Sequence, residues 1–493
     1  MKVLLTTFYD ARCTGLRILA SCLKNPRNIY NVKMCFFKEH FSKTVNSFPD
    51  ENKAYLLIQD KGYSMGMCDI NPITENEEKL FFEYLEKEQP DVIGFSLRSY
   101  LNEIVLDLLK KIRIKFPHIK LIAGGYAPTL EPELFTPYLD AVVRGEGEEA
   151  IVELCDCFRN KSSFEHIKNI SFYKNGETIN NPLRCAKTNI SEYPWSFSFH
   201  DGEENLFTIE NDTITYGDPL RRWQAYCFLL GRGCLGSCSY CSGGNWIKMY
   251  HKEGYKLPLR RMREIDDAIA ELKRAKADGY KRIHFTDEYF AASMSYINEF
   301  LDKYEKEIGL PVEMYLHYEL INNHPELLDQ LKRLGLKQVC VGIQSGDEKF
   351  AREVYNRKTS HETIINFINN IHAAGISALY HLILGNPLET EENFRNSLEF
   401  LKILPFTKGV DSLTCFKFNA FPKSPIVEKY QEKVLQKVPN YVFERQGCLA
   451  QLRMLLSDEE FLPLLNNKKY LEDVAELREI YFSKIGSLKY SEK

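Results

Sequence analysis

Nowhere in this sequence do apolar residues run long enough to cross a bilayer, and no long block of lysine and arginine offers a patch for nucleic acid or anionic lipid. The formal net charge is only −4, which further argues against a broad attraction to polyanions. No charged-then-apolar leader opens the chain, so the expected setting is a reducing cytoplasm in which most of the 14 cysteines are free thiols. Internal repeats and low-complexity blocks are also missing. What remains is an ordinary globular composition of 493 residues, enough for two or three domains with buried cores.

Against that background one loop stands out, Gly233-Cys-Leu-Gly-Ser-Cys-Ser-Tyr-Cys-Ser-Gly-Gly244. Cys234, Cys238 and Cys241 have CxxxCxxC spacing directly after a hydrophobic run. Three thiolates can hold three corners of a cubic iron–sulfur cluster and leave one iron without a protein ligand. A four-cysteine set suits electron transfer. A missing fourth ligand points instead to an iron that binds a substrate or cosubstrate. A zinc site completed by His251 competes, but zinc loops usually pair their cysteines as CxxC knuckles. A disulfide framework fits poorly with a long chain whose cysteines are scattered.

The first part of the chain alternates short apolar runs with helical patterns. Strands are expected at Val3–Thr7, Asp91–Ser96, Lys120–Gly125 and Ala141–Arg144, and helices at Thr14–Leu23 and Asn102–Lys115. This α/β alternation predicts a Rossmann-like, doubly wound parallel sheet over residues 1–185, with ligands beyond the carboxyl ends of its strands. Residues 186–222 are less periodic and read as a linker. Six strands are then expected at Ala225–Leu230, Arg282–Thr286, Val312–His317, Gln338–Ile343, Ala378–Leu384 and Ser412–Phe418, with helices between them. They predict a partial (β/α)6 barrel over 223–422, with the cysteine loop after its first strand. Residues 423–493 read as a mainly helical region that caps the barrel or contacts substrate.

On these residues the chain resembles the radical S-adenosylmethionine (SAM) enzymes, whose signature is the cysteine loop with an aromatic residue, here Tyr240, before the third cysteine. Ile283-His-Phe-Thr-Asp-Glu-Tyr-Phe290, Val341-Gly-Ile-Gln-Ser-Gly346, Asn356-Arg-Lys358 and Ile383-Leu-Gly-Asn-Pro-Leu-Glu-Thr390 follow in the family's order. The resemblance covers roughly 221–422. It implies a 4Fe–4S cluster on Cys234, Cys238 and Cys241, with SAM on its open iron. Asp287 or Glu288 would receive the SAM ammonium, and Arg357 or Lys358 its carboxylate. Gln344 and Ser345 would lie near the ribose and Asn386 near adenine, with Tyr240 lining the site. Gln344 departs from the family's usual acid, though an amide still bonds hydroxyls. Cleavage of SAM at the reduced cluster would give a 5′-deoxyadenosyl radical that removes hydrogen from unactivated carbon.

The amino-terminal part resembles the cobalamin-binding domains fused to such enzymes, through Ser96, Gly124-Gly125 with Pro128-Thr129, and Arg144-Gly-Glu-Gly-Glu148. The resemblance implies cobalamin contacts from Thr7, Asp10, Arg12, Ser96, Gly124, Gly125, Thr129, Gly145 and Glu146. Domains of this kind that ligate cobalt carry Asp-x-His-x-x-Gly. Here Asp10-Ala-Arg-Cys-Thr-Gly15 puts Arg12 where the histidine would be, and a guanidinium has no lone pair to offer cobalt.

The leading expectation is therefore a cobalamin-dependent radical SAM methyltransferase acting on carbon. One SAM would methylate cobalamin, and a second would generate the radical. A rearrangement or cyclisation without methyl transfer is the alternative. A methylthiotransferase acting on tRNA would need a second cluster, and Cys13, Cys22, Cys35 and Cys68 offer no convincing set. A non-catalytic cobalamin or metal sensor is a fourth reading. Expected partners are a small-molecule or peptide substrate and an electron donor such as flavodoxin or ferredoxin, with neither membrane nor nucleic acid. His284, His317, His381 and Trp246 read as packing groups, and no general acid or base is assigned.

Overall fold

The computed structural model describes residues 1–24, 29–39, 42–44, 65–70, 72–196, 203–288, 290, 292–407 and 410–486. Five parallel strands form the centre of the first sheet, in the spatial order Asn31–Phe37, Lys2–Phe8, Val92–Ser96, Lys120–Gly124 and Ala141–Val143. Successive residues of the first strand enter different cores. Leu4 packs with helices Glu75–Glu88 and Asn102–Lys115, whereas Val3 and Leu5 pack with helices Thr14–Lys24 and Glu148–Asn160. That is the burial a doubly wound parallel sheet requires. Strand order reverses beside Lys2–Phe8, so a crevice opens beyond its carboxyl end and that of Val92–Ser96.

Two stretches do not follow the sequence reading. Within the expected linker, Leu206–Glu210 lies parallel to Asn31–Phe37, and Thr213–Tyr216 turns back antiparallel along it. Part of the 186–222 segment thus extends the first sheet. Conversely, Met65–Ile70, counted with the first domain, pairs in parallel with Ser412–Lys417 of the barrel, and Ser42–Thr44 pairs with it.

The six barrel strands form two groups. Ala225–Phe228, Arg282–Phe285 and Val312–Glu313 make one parallel sheet. Gln338–Gln344, Ser377–Leu384 and Ser412–Lys417 begin the other. No ladder joins the groups among the described residues, but one core spans both, from Tyr226 and Phe285 to Val341, Tyr380 and Cys415. Helix Asn440–Leu455 is buried over most of its length and packs on helix Glu391–Ile403 and the later strands. No helix among the described residues is long and apolar enough to cross a membrane.

The first sheet and the barrel are joined by buried charge. Arg17 makes a two-pronged ion pair with Asp218 at 2.7 and 2.8 Å and also donates to the carbonyls of Ala11 and Arg12. Glu146 pairs with Arg261 and Arg232 and accepts from the Tyr193 hydroxyl at 3.1 Å. Such pairs are costly to desolvate, but removing one partner strands the other, so they fix geometry firmly.

Candidate active site

The first barrel strand runs into the cysteine loop through a turn that Asp287 holds. Its buried carboxylate accepts the N–H groups of Leu230 and Gly231, each at 2.8 Å, and pairs with Arg260. Arg260 in turn donates to the carbonyl of Gly233 at 2.9 Å. Both Asp287 oxygens are therefore spoken for. Of the two acids expected to receive an ammonium, Asp287 is the clamp of the loop, and Glu288 is the one left exposed.

Farther along, Ser239 donates to the Val354 carbonyl at 2.5 Å, and Asn356 donates to the Ser237 carbonyl at 2.8 Å. Each loop sulfur faces an N–H group. Gly236 N–H lies 3.2 Å from Cys234 Sγ, Gly243 N–H lies 3.4 Å from Cys241 Sγ, and Arg357 lies 3.8 Å from Cys238 Sγ. Donors aimed at all three sulfurs suit thiolates that ligate a cluster. Burial pushes the Cys241 thiol up to about 11 and raises Cys234 as well, and no three His, Cys, Asp or Glu side chains among the described residues are gathered as a ready metal site. His251, the fourth ligand of the zinc reading, bonds the Leu257 carbonyl at 3.2 Å instead. Cys13 and Cys35 lie in different cores on opposite faces of the first sheet, which leaves them no shared metal site.

The remaining residues expected around SAM divide clearly. Arg357 sits against the cysteine loop, 3.3 Å from the Tyr240 hydroxyl, and is anchored to the Gly342 carbonyl at 2.7 Å. Lys358, its alternative, is exposed. With Glu288 beside Cys241, the loop has a carboxylate near one cysteine and a guanidinium near another, a match for the ammonium and carboxylate of SAM. Gln344 ends its strand at φ 67°, folded over Gly342. Ser345 is buried between Ser397 and the Asp347 N–H, so it belongs to the core and not to an open ribose site. Asn386 is also engaged at both ends, donating to the Tyr355 hydroxyl at 3.0 Å and accepting from Leu388 N–H at 2.9 Å. Tyr355 packs edge-on against Tyr240 with 4.9 Å between ring centres, so Asn386 acts on the loop through two rings.

Between sheet and barrel lies a cavity of about 630 Å³. Asp10, Arg12, Ser96, Gly124, Gly125, Gly145 and Glu146 line it from one side. Gly233, Gly243, Trp246, His284, Glu288 and Tyr315 line it from the other. Thr7 and Thr129 do not line it. Thr7 is buried in its strand, and Thr129 accepts the Gly145 N–H at 3.1 Å. Glu146 reaches the cavity but spends its carboxylate on the domain junction. Gly125 has φ 96°, and a Cβ there would lie 2.7 Å from the Leu97 carbonyl, so the turn itself demands glycine. The bare backbone that results suits a bulky ligand, as a cobalamin domain needs.

Arg12 is not a solvated loop residue. Its guanidinium lies 3.0 Å from His284 Nε2, and His284 Nδ1 lies 2.9 Å from Glu313. Arginine can only donate, so Nε2 is the acceptor and Nδ1 carries the proton toward Glu313. Burial and the neighbouring Arg12 hold His284 below the ordinary histidine value, consistent with a neutral ring. Asp10 accepts from Cys13 N–H at 3.0 Å and pairs with Arg98 at 2.5 Å. His381 packs on Phe416, and burial holds it at about 4. His317 caps helix Tyr318–Asn323.

Sequence reasoning missed Arg17, Arg260 and Tyr126. The two arginines carry no pattern signal. Tyr126 follows the paired glycines directly, and that adjacency was its only signal.

Two family models match the chain. One is described as the radical SAM superfamily, over residues 228–401, and the other as the B12 binding domain, over residues 56–155. An uncharacterised methyltransferase of Pyrococcus horikoshii is 24% identical over 335 residues, covering 65% of this chain and 66% of its own. A cytidylyl-2-hydroxyethylphosphonate methyltransferase of Streptomyces wedmorensis is 24% identical over 323 residues, covering 60% of this chain and 58% of its own. The match therefore spans less than two thirds of either relative's length. Among solved structures, the radical SAM methyltransferase TsrM of Kitasatospora setae, with tryptophan substrate and a SAM analogue bound, superposes with a TM-score of 0.59. It covers 87% of this chain and 76% of its own at 15% identity, a likeness of fold.

Proposed function

Because the chain belongs to the radical SAM superfamily and carries a B12-binding domain ahead of its radical SAM domain, we propose that it methylates an unactivated carbon of a small-molecule or peptide substrate, using two SAM molecules per product. The enzyme's cofactors are a 4Fe–4S cluster, SAM and cobalamin. When bound, the cluster supplies the electron that cleaves SAM, and cobalamin supplies a carrier for the methyl group. The electron itself comes from an external donor such as flavodoxin or ferredoxin.

The chain's own residues hold and orient. Cys234, Cys238 and Cys241 are the cluster ligands, with N–H groups of Gly236 and Gly243 and the Arg357 guanidinium turned to their sulfurs. Glu288 takes the SAM ammonium and Arg357 its carboxylate. Arg12, on the cavity wall, would offer cobalamin no lone pair, and His284 Nε2, which shares that wall, already accepts from Arg12.

One observation carries this reading: a single cavity is lined both by the glycine loops of the B12-binding domain and by Glu288 and the cysteine-loop flank of the barrel. Two bound cofactors that exchange a methyl group must share such a space. The test begins with anaerobically purified, reconstituted protein, whose absorbance, iron and cobalamin content should give one cubane cluster and one cobalamin per chain. Turnover against panels of peptides, lipids, sugars and polyketide precursors should yield a product heavier by one methylene, with S-adenosylhomocysteine and 5′-deoxyadenosine formed in equal amounts. Cluster without cobalamin after reconstitution overturns the reading. 5′-Deoxyadenosine with an altered but unmethylated product replaces it with a rearrangement or cyclisation.

A further inference from the structure

Asp287 and Glu288 are neighbours with opposite fates. Both border the cavity, but Asp287 is buried and saturated, whereas Glu288 is exposed. Its Oε1 accepts a hydrogen bond from the Tyr126 hydroxyl at 3.0 Å. Its Oε2 faces the start of helix Gly243–Lys252, where a Cβ built on Gly243 would lie 3.3 Å from Oε2 and 3.5 Å from Cys241 Sγ. The carboxylate is thus held by a phenol on one side and left free beside a cluster cysteine on the other.

Tyr126 does not belong to the barrel. It follows Gly124-Gly125, where Gly125 at φ 96° is pressed against Leu97. Leu97 N–H donates to Gly124, and Ala127 N–H donates back to Leu97, so the turn is closed by its own backbone. The Tyr126 ring packs on Trp246 with 5.1 Å between centres, and Trp246 lies in the first turn of the helix that follows Cys241. Burial, reinforced by Glu288, raises the Tyr126 hydroxyl well above the usual phenol value, so it remains a donor at working pH. Anything seated on the glycine turn therefore bears on the residue that orients Glu288.

We propose that Tyr126 is a positioning residue for SAM, which sets the Glu288 carboxylate for the ammonium group and so makes SAM affinity depend on cobalamin occupying the glycine turn. This rests on the reading of Glu288 as the ammonium acceptor. Coupling of this kind is reciprocal, so SAM strengthens cobalamin binding by the same factor.

The experiment uses full-length protein with its cluster reconstituted, titrated with SAM in the presence and absence of hydroxocobalamin. The wild type should bind SAM about 5- to 20-fold more tightly with cobalamin bound, in the range of coupled sites. Tyr126→Phe keeps the ring on Trp246 and removes only the hydroxyl, so the ratio should fall to about 2-fold or less. Its iron content, and its cobalamin affinity without SAM, should stay at wild-type values. Glu288→Gln should weaken SAM binding in both states. If Glu288→Gln leaves SAM binding intact, the reading of Glu288 fails and takes the inference with it. If Glu288→Gln weakens SAM while Tyr126→Phe keeps the wild-type ratio, only the role of Tyr126 is overturned. A wild type without coupling, or a Tyr126→Phe protein that loses cluster or cobalamin, also overturns it, because the hydroxyl would then be merely structural.

Discussion

The two rims of the cavity are held by opposite means. On the barrel rim, side chains grip the backbone: Asp287, Arg260, Ser239 and Asn356 each bond main-chain atoms of the cysteine loop or its support. On the sheet rim, glycine shapes the main chain. Gly125 and Gly145 occupy positive φ; the Gly125 turn closes through its own N–H and carbonyl groups, and the Gly145 N–H is taken by the Thr129 hydroxyl. A charged cluster needs a loop whose sulfurs stay put, and buried ion pairs give that rigidity at a desolvation cost. A bulky ligand needs main chain with nothing projecting from it, which glycine provides. The difference predicts which substitutions will unfold the protein and which will only empty a site.

The largest effect is expected at Asp287. Asp287→Ala takes the ion-pair partner from Arg260 and leaves two buried N–H groups unmet, and should cost about 3–5 kcal/mol in denaturant unfolding, with cluster loading lost. A variant that unfolds like the wild type and still holds iron would break the comparison on the barrel side. Glu146→Ala removes the carboxylate that ties Arg261 to the first domain and that shares Arg232 with Glu148, and should cost about 2–3 kcal/mol, seen as earlier thermal unfolding and faster proteolysis between the domains. Gly125→Ala meets Leu97 at an unfavourable φ and should cost about 1–2 kcal/mol while cobalamin affinity falls sharply. If Gly125→Ala destabilised the fold more than Asp287→Ala, the division between rims would be reversed.

Much of the fold could be read from the residues because buried parallel strands are short apolar runs with turn signals on either side. Val92–Ser96 and Gln338–Gln344 are of that kind. Leu206–Glu210 was hidden because it is a short apolar run inside a polar, aperiodic stretch, although it lies between Asn31–Phe37 and Thr213–Tyr216 in the sheet. Met65–Ile70 could not be assigned to the barrel, because pairing at that range leaves no local mark. Within the site, the cysteines were plain from spacing alone. Adjacent acids were not separable: whether Asp287 or Glu288 points at backbone or cavity depends on strand orientation and on Arg260, a distant arginine. Asn386 and Ser345 looked like ligand contacts but were spent inside the protein, an outcome that pattern cannot distinguish from a free polar group.

The pairing of Met65–Ile70 with Ser412–Lys417 has a consequence for how the protein is made. On the ribosome the earlier strand emerges long before its partner, and the first sheet can form around it while it waits. The last barrel strand is therefore also the one that captures it, after every strand of the first sheet has been synthesised. A barrel expressed alone would present the bare edge of Ser412–Lys417 to other chains, an open invitation to self-association.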